Sequence, residues 1–197
     1  LKYATDASRL RKEAQKSKVG AMLAKRLTDI FISGSALLGF APLLAIIAVL
    51  IKLDSDGPVI FKQRRVGQDG EFFEIYKFRT MKMNCGGHTV TIKGDGRITA
   101  VGRVLRKYKI DELPELWNVL KGDMSFVGPR PDMPELAGTL TGDDRLILEL
   151  RPGITGPATL KYANEEDLLA SKADPKKFND EVLWPDKVRI NLDYYRN

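Results

Sequence analysis

The sequence predicts an α+β fold: a mostly helical, membrane-associated domain with a re-entrant N-terminal membrane helix and a small β-hairpin. Three observations carry that expectation. Ile30 to Ile51 run for 22 residues without a charge, long enough to span a bilayer. Two apolar-rich segments, VIFKQRRV and EFFEIYKF, flank the turn signal Gln68-Asp69-Gly70, the pattern of a hairpin. Further along, apolar residues recur at helical spacing in several short stretches.

The 197 residues suit one domain with a real core. A single cysteine excludes an internal disulfide and fits a reducing compartment. The net charge is +6, and residues 1–26 hold all of the excess. A basic N-terminal arm points to an anionic membrane surface. No recognised nucleic-acid motif accompanies it, so no nucleic-acid partner is expected. The expected parts are a basic arm over 1–24, a re-entrant membrane helix over 25–53 and a cytosolic catalytic domain over 54–197. Leu1 is not an initiator methionine, and whether chain precedes it or follows Asn197 is left open.

The apolar run is too long, and lacks the cleavage site, for a secretory signal. A buried core helix is the plain alternative. Lys16, Lys18, Lys25 and Arg26 precede the run; Lys52, Lys62, Arg64 and Arg65 follow it. Positive loops prefer the cytoplasmic side, and a single span satisfies only one flank. Pro42 lies mid-run and bends a helix, so a re-entrant path keeps both flanks on one side. Asp29 is spaced to pair with Lys25 or Arg26.

Gly57-Pro58 breaks the chain before the hairpin. Lys77 and Arg79 fall on one strand face, where a solvated face is the plain reading. Residues 83–97 read as a loop. Cys85 and His88 lie there without the further ligands that a zinc site needs. With His88 the sole histidine, no catalytic triad can form. Ile98 to Lys109 reads as a basic amphipathic helix with Val101, Val104 and Leu105 inward. Arg106 on it is a surface charge by default.

The densest stretch is Asp111 to Pro131, DELPELWNVLKGDMSFVGPRP. Leu113, Leu116, Trp117 and Leu120 keep helical spacing, with Trp117 inward. Pro114 suits a first turn and Gly122 a C-cap. Asp111 and Glu112 thus fall at a helix N-terminus, which favours ionised carboxylates and bound phosphate. On spacing alone the pair reads as an acidic cap. Asp123 and the rigid Gly128-Pro129-Arg130-Pro131 turn shift the reading to metal-assisted phosphate chemistry. Short helices are expected over Asp143 to Leu150, within 162–182 and from Asp186. Arg151-Pro152-Gly153-Ile154-Thr155-Gly156 forms a rigid turn with one arginine. Trp184 is a candidate anchor at a membrane interface.

DELPELWNVLKGDMSFVGPRP resembles the core signature of the bacterial sugar transferases, the polyprenyl-phosphate glycosyl-1-phosphate transferases or monotopic phosphoglycosyl transferases. Lys25-Arg26 with Asp29, FKQRRVGQDGEFFEIYKFRTM and RPGITG match as well, so the likeness covers Lys25 onward. The resemblance implies a membrane helix that enters and leaves the cytoplasmic leaflet, with Lys25, Arg26 and Asp29 at the head groups. This chain has Ala41-Pro42 where the family has Ser-Pro, and so lacks the hydroxyl that caps the break.

The resemblance further implies transfer of a sugar 1-phosphate from a nucleotide diphosphate sugar, of UDP-sugar type, to a polyprenyl phosphate such as undecaprenyl phosphate. This is the first membrane step of glycoconjugate synthesis, at the cytoplasmic face of the bacterial inner membrane. Asp111 is then the nucleophile and a ligand of Mg²⁺, or of Mn²⁺ in its place, with Glu112 assisting. Arg130 foremost, with Lys77, Arg79, Arg106 and Arg151, binds phosphate. The partners are the two substrates and membrane lipid, and a homo-oligomer is left open. A metal-dependent membrane phosphohydrolase and a non-enzymatic membrane-anchored scaffold are the competing readings.

Overall fold

A computed structural model of the protein describes residues 2–83 and 95–196, with side chains from Val19 onward. Cys85 and His88, and most of the loop expected over 83–97, lie outside the described residues.

One helix, α1 (Lys2–Asp54), opens the chain and contains Pro42. Arm and apolar run are therefore one helix, not an arm joined to a helix. Residues Val19–Asp54 are long and apolar enough to cross a membrane. They are not a buried core helix, because most of this surface is exposed. Asp29 and Ser33 are buried near one end of the apolar run, and Ile47 and Ile51 near the other. Leu38, Phe40 and Leu43 between them are exposed.

The expected hairpin follows. Strand β1 (Ile60–Val66) pairs antiparallel with β2 (Phe72–Phe78), Ile60 opposite Phe78 and Val66 opposite Phe72. Asp69 and Gly70 make the turn at positive φ, 57° and 82°. Helix α2 (Ala100–Lys107) is two residues shorter at each end than expected. Its Leu105 is buried, but Val104 is 54% exposed and does not face inward. Helix α3 (Glu115–Lys121) ends at Gly122, φ 101°, in the left-handed C-cap that the sequence predicts.

Beyond α3 the chain forms β3 (Ser125–Val127), α4 (Pro134–Ala137), β4 (Gly153–Thr155), α5 (Pro157–Lys161), α6 (Glu165–Ala170), α7 (Pro175–Phe178) and α8 (Trp184–Arg196). The short helix expected over Asp143 to Leu150 is present as a 3₁₀ segment, Gly142–Glu149. Strands β3 and β4 pair in parallel, Ser125 with Gly153 and Val127 with Thr155. Three-residue strands are too short to show alternation in the sequence.

Three apolar clusters hold these elements. Ile47 and Ile51 of α1 pack with Phe78 and Leu105, joined by Ile110 and Leu113. Ile75, Val119 and Met124 pack across the other face of the hairpin with Phe73, Phe126 and Ile154. Leu140, Ile147, Val188 and Leu192 form the C-terminal cluster, where Trp184 packs instead of facing a membrane. Its indole N–H donates to Thr139 Oγ1 at 3.3 Å.

The far half of α1 also docks by polar contacts. Arg26 donates to the Val119 and Leu120 carbonyls at 2.6 and 2.7 Å, capping the C-terminus of α3. Lys25 donates to the Val127 carbonyl at 2.9 Å, and Asp29 Oδ1 accepts from the Phe126 N–H at 3.3 Å. The expected pairing of Asp29 with Lys25 or Arg26 gives way to these contacts with α3 and β3.

Gly128, Gly153 and Gly156 make backbone-to-backbone contact. A Cβ on Gly153 would lie 2.2 Å from the Gly128 nitrogen, and one on Gly156 2.3 Å from the Gly128 carbonyl oxygen. The RPGITG turn therefore braces the turn that carries Arg130. Gly153→Ala should lower the melting midpoint of the purified protein by roughly 2–10 °C, the range for an overpacked buried site in a chain of this size. Gly20→Ala, whose added methyl meets nothing within 4 Å on α1, should cause no loss. Equal midpoints for both variants would remove the brace.

Candidate active site

Lys109 adopts a left-handed conformation, φ 56°, and turns the chain out of α2 into a 3₁₀ turn, Ile110–Glu112. Asp111 and Glu112 occupy that turn, ahead of α3, and Pro114 is the residue preceding the helix. The acids are thus not the cap of α3. The 3₁₀ turn places adjacent side chains about 120° apart, so Asp111 and Glu112 point in different directions.

Glu112 is gripped from two elements. Lys77 of β2 reaches its Oε1 at 2.9 Å. Arg130, from the Gly-Pro-Arg-Pro turn, binds both carboxylate oxygens, with its Nη1 at 3.4 Å from Oε2. Lys77 also lies 3.2 Å from Glu115 Oε1. Glu115 is 1% exposed, and its oxygens have no hydrogen bond. The sequence reading passed over this acid as part of the helix. Asn118 was missed too. It is fully buried, accepts from the Tyr76 N–H at 3.1 Å and donates to the Glu74 carbonyl at 2.7 Å, fastening α3 to the edge of β2.

These groups line a cavity of about 480 Å³. Asp111, Glu112, Lys77, Arg79, Arg106 and Arg130 all reach it, so five of the expected residues converge with the candidate nucleophile. Arg65, Lys82, Arg97 and Lys109 add positive charge to its walls. Arg151 is not among the lining residues; its turn serves as the brace. Asp123 is held by Lys121 at 2.8 Å and Asn118 at 3.2 Å, away from the cavity. Arg79 is nearly all buried, and its Nη2 donates to the Ile51 and Ser55 carbonyls at 3.2 and 2.6 Å. It ties the end of α1 to the hairpin, whatever else its buried Nε and Nη1 bind. Trp117, expected inward, is 51% exposed.

Residues 20–197, nine-tenths of the chain, match the profile of the bacterial sugar transferases. The chain belongs to that family.

A relative from Aeromonas hydrophila, named as a UDP-N-acetylgalactosamine-undecaprenyl-phosphate N-acetylgalactosaminephosphotransferase, is 44% identical over 148 residues, 73% of this chain and 35% of its own length. An exopolysaccharide production protein of Rhizobium leguminosarum bv. phaseoli is 44% identical over 149 residues, 71% of this chain and 74% of its own length. A UDP-glucose:undecaprenyl-phosphate glucose-1-phosphate transferase of Caulobacter vibrioides is 42% identical over 157 residues, 73% of this chain and 56% of its own length. The chain thus spans only about a third of the Aeromonas relative.

In this bacterial sugar transferase the two adjacent acids have opposite electrostatics. Burial, then the charge of Glu112, pushes the Asp111 carboxyl above the usual carboxylate range, against the pull of Lys77 and Arg106. Burial pushes Glu112 up as well, but Arg130 and Lys77 outweigh it and hold it at about 2. Burial also raises Asp132, two residues after Arg130, to about 7, against the pull of Lys187, Arg65 and Arg130. Asp111 Oδ1 is buried with no hydrogen-bond partner.

The raised Asp111 pKa has a sign in stability. The folded chain holds that proton to higher pH than the unfolded chain. Its contribution is full below the unfolded pKa and is lost as pH rises through the folded one. Asn does not titrate and escapes this loss, so at pH 7 Asp111→Asn should raise the melting midpoint of the metal-free protein by roughly 1–4 °C. The gain should shrink at pH 4. A lower midpoint for Asp111→Asn at pH 7 would mean that neighbouring cations stabilise the charge.

Proposed function

We propose that the protein transfers a sugar 1-phosphate from a UDP-sugar to undecaprenyl phosphate, through a covalent intermediate on Asp111. The observation that carries this reading is the unpartnered Oδ1 of Asp111 in a cation-walled cavity. One oxygen is free of hydrogen bonds, while the adjacent Glu112 is fully engaged. A desolvated carboxylate without a donor is a stronger nucleophile than a paired one. Its raised pKa is offset when phosphate-binding cations and metal approach.

In the first step an Asp111 oxygen attacks the sugar-linked phosphorus. The bond from that phosphorus to the bridging oxygen breaks, and uridine monophosphate leaves. In the second step a phosphate oxygen of the lipid attacks the same phosphorus and releases Asp111. The products are a polyprenyl diphosphate sugar and the regenerated enzyme. Arg130 and Lys77, set by Glu112, stand beside the reacting group and stabilise charge on the transferring phosphate. Arg130 suits this because a guanidinium can grip phosphate at two points.

A Mg²⁺ or Mn²⁺ ion fits the donor set. Among the described residues no three His, Cys, Asp or Glu side chains cluster to hold a metal. One carboxylate, Asp111, plus substrate phosphates is the donor set Mg²⁺ commonly takes. When bound, the ion supplies charge neutralisation between the carboxylate and the diphosphate.

The re-entrant membrane path belongs to the same proposal. Both ends of the apolar run dock on one body, and the exposed middle carries Pro42. Gly34 faces Leu120, while Leu113 packs on the cluster that contains Ile47. A bend at Pro42 returns α1 to the cytoplasmic leaflet.

Incubation with labelled UDP-sugar and no lipid, followed by quenching, tests the chemistry. A phosphosugar adduct should appear by mass on Asp111 and be absent from Asp111→Asn. Turnover without an adduct, with kinetics that need both substrates bound together, would make the transfer direct; release of free sugar phosphate would make the protein a phosphohydrolase. Single cysteines before Lys25 and after Leu53 test the path. Both should react with an impermeant reagent from the same side of sealed vesicles, and labelling from opposite sides would rule the bend out.

A further inference from the structure

Three acids line the cavity, and two of them are Asp111 and Glu112. The third, Glu166, comes from the C-terminal layer. It belongs to α6, in a charged stretch that the sequence marks only as surface. Its Oε1 pairs with Arg106 Nη2. Arg106 stands on α2, and its charge acts on Asp111. The Arg106 Nε is buried with no partner, and Glu166 keeps 37% of its side chain exposed. The preceding residue, Glu165, is fixed from the other side by Lys187 of α8, 2.7 Å from both carboxylate oxygens. Residue 165 thus anchors α6 to α8, and residue 166 reaches across to the cation.

We propose that Glu166 is a positioning residue that holds the Arg106 guanidinium at the cavity in the free enzyme and is displaced from it by the donor's diphosphate. The inference rests on the UDP-sugar reading and adds a step before it. Without an anion, a lone arginine on a short helix has many rotamers. The carboxylate keeps it extended over the cavity. A diphosphate carries more charge and more acceptor oxygens than one carboxylate, and it presents two of them to the same guanidinium. The exchange leaves Glu166 at the cavity edge, where its existing exposure lets water solvate it. The C-terminal layer therefore senses occupancy of a cavity built by the hairpin and α3.

Uridine diphosphate, which cannot react, is the probe. Its dissociation constant is measured by calorimetry on the full chain in detergent with Mg²⁺. Glu166→Gln keeps the size and an acceptor but weakens the competing contact, so it should bind uridine diphosphate about fivefold more tightly. Glu166→Ser, which cannot reach Arg106, should also bind more tightly. Arg106→Gln should bind more weakly, and adding Glu166→Gln to it should change nothing further. A merely structural tie between α6 and α2 predicts lower melting midpoints with equal or weaker binding, and that result overturns the proposal. Turnover by the wild type reads the transferase assignment separately. Turnover with unaltered affinity in both Glu166 variants sinks the displacement alone. A wild type that neither turns over nor binds uridine diphosphate overturns both.

Discussion

The structure depends on how Glu112 is held. A buried carboxylate is costly unless cations meet it. Lys77 comes from the hairpin and Arg130 from the turn after β3, and both converge on this one side chain. Their convergence fixes the hairpin, the 3₁₀ turn and the Arg130 turn relative to one another. The backbone follows from that need. Lys77 shares its strand face with Ile75, which is buried against α3. Asn118 fastens the same helix to the strand. The glycine contacts between the Arg130 turn and RPGITG leave no room for a side chain, so the arginine approaches from one direction only.

Holding Glu112 so firmly leaves its neighbour free. Removing both cations from reach of Asp111 by hydrogen bond, while burying it, yields a carboxylate of raised pKa next to one of lowered pKa. Two adjacent acids with pKa values pushed apart suit the division of roles proposed above, in which Glu112 organises and Asp111 reacts.

Much of this was legible in the sequence where the signal is local. The hairpin turn at Gln68-Asp69-Gly70, the Gly122 cap and the apolar run each depend on a few neighbouring residues. The roles of Lys77 and Arg106 came from the resemblance of their motifs; both line the cavity with Arg130, Asp111 and Glu112, where Lys77 and Arg130 hold Glu112 and Arg106 pairs with Glu166. The misreadings arise where tertiary contact decides. Leu113 and Pro114 stand between the 3₁₀ turn and α3, a junction that breaks the helical phase carried on to Trp117, and Trp117 is exposed. The arginine of RPGITG drew attention, whereas its glycines do the structural task, since close backbone approach leaves no periodic trace. Arg79, Lys25, Arg26 and Asp29 are spent on docking α1, a partner that sequence distance conceals. Glu166 was one charge among many in a polar stretch until the fold set it against Arg106.

Helix α3 begins just after Asp111 and Glu112 and ends under the Arg26 cap on α1. Its seven residues rise about 10 Å. On the proposed membrane path of α1, that short rod acts as a ruler between the Arg26 level of α1 and the cavity. The height of the chemistry above the acyl chains is then a property of the protein and not of the bilayer. A thicker or thinner membrane leaves it unchanged. On the proposed reading, what must match that distance is the acceptor, whose phosphate has to stand at the same height while its tail stays in oil.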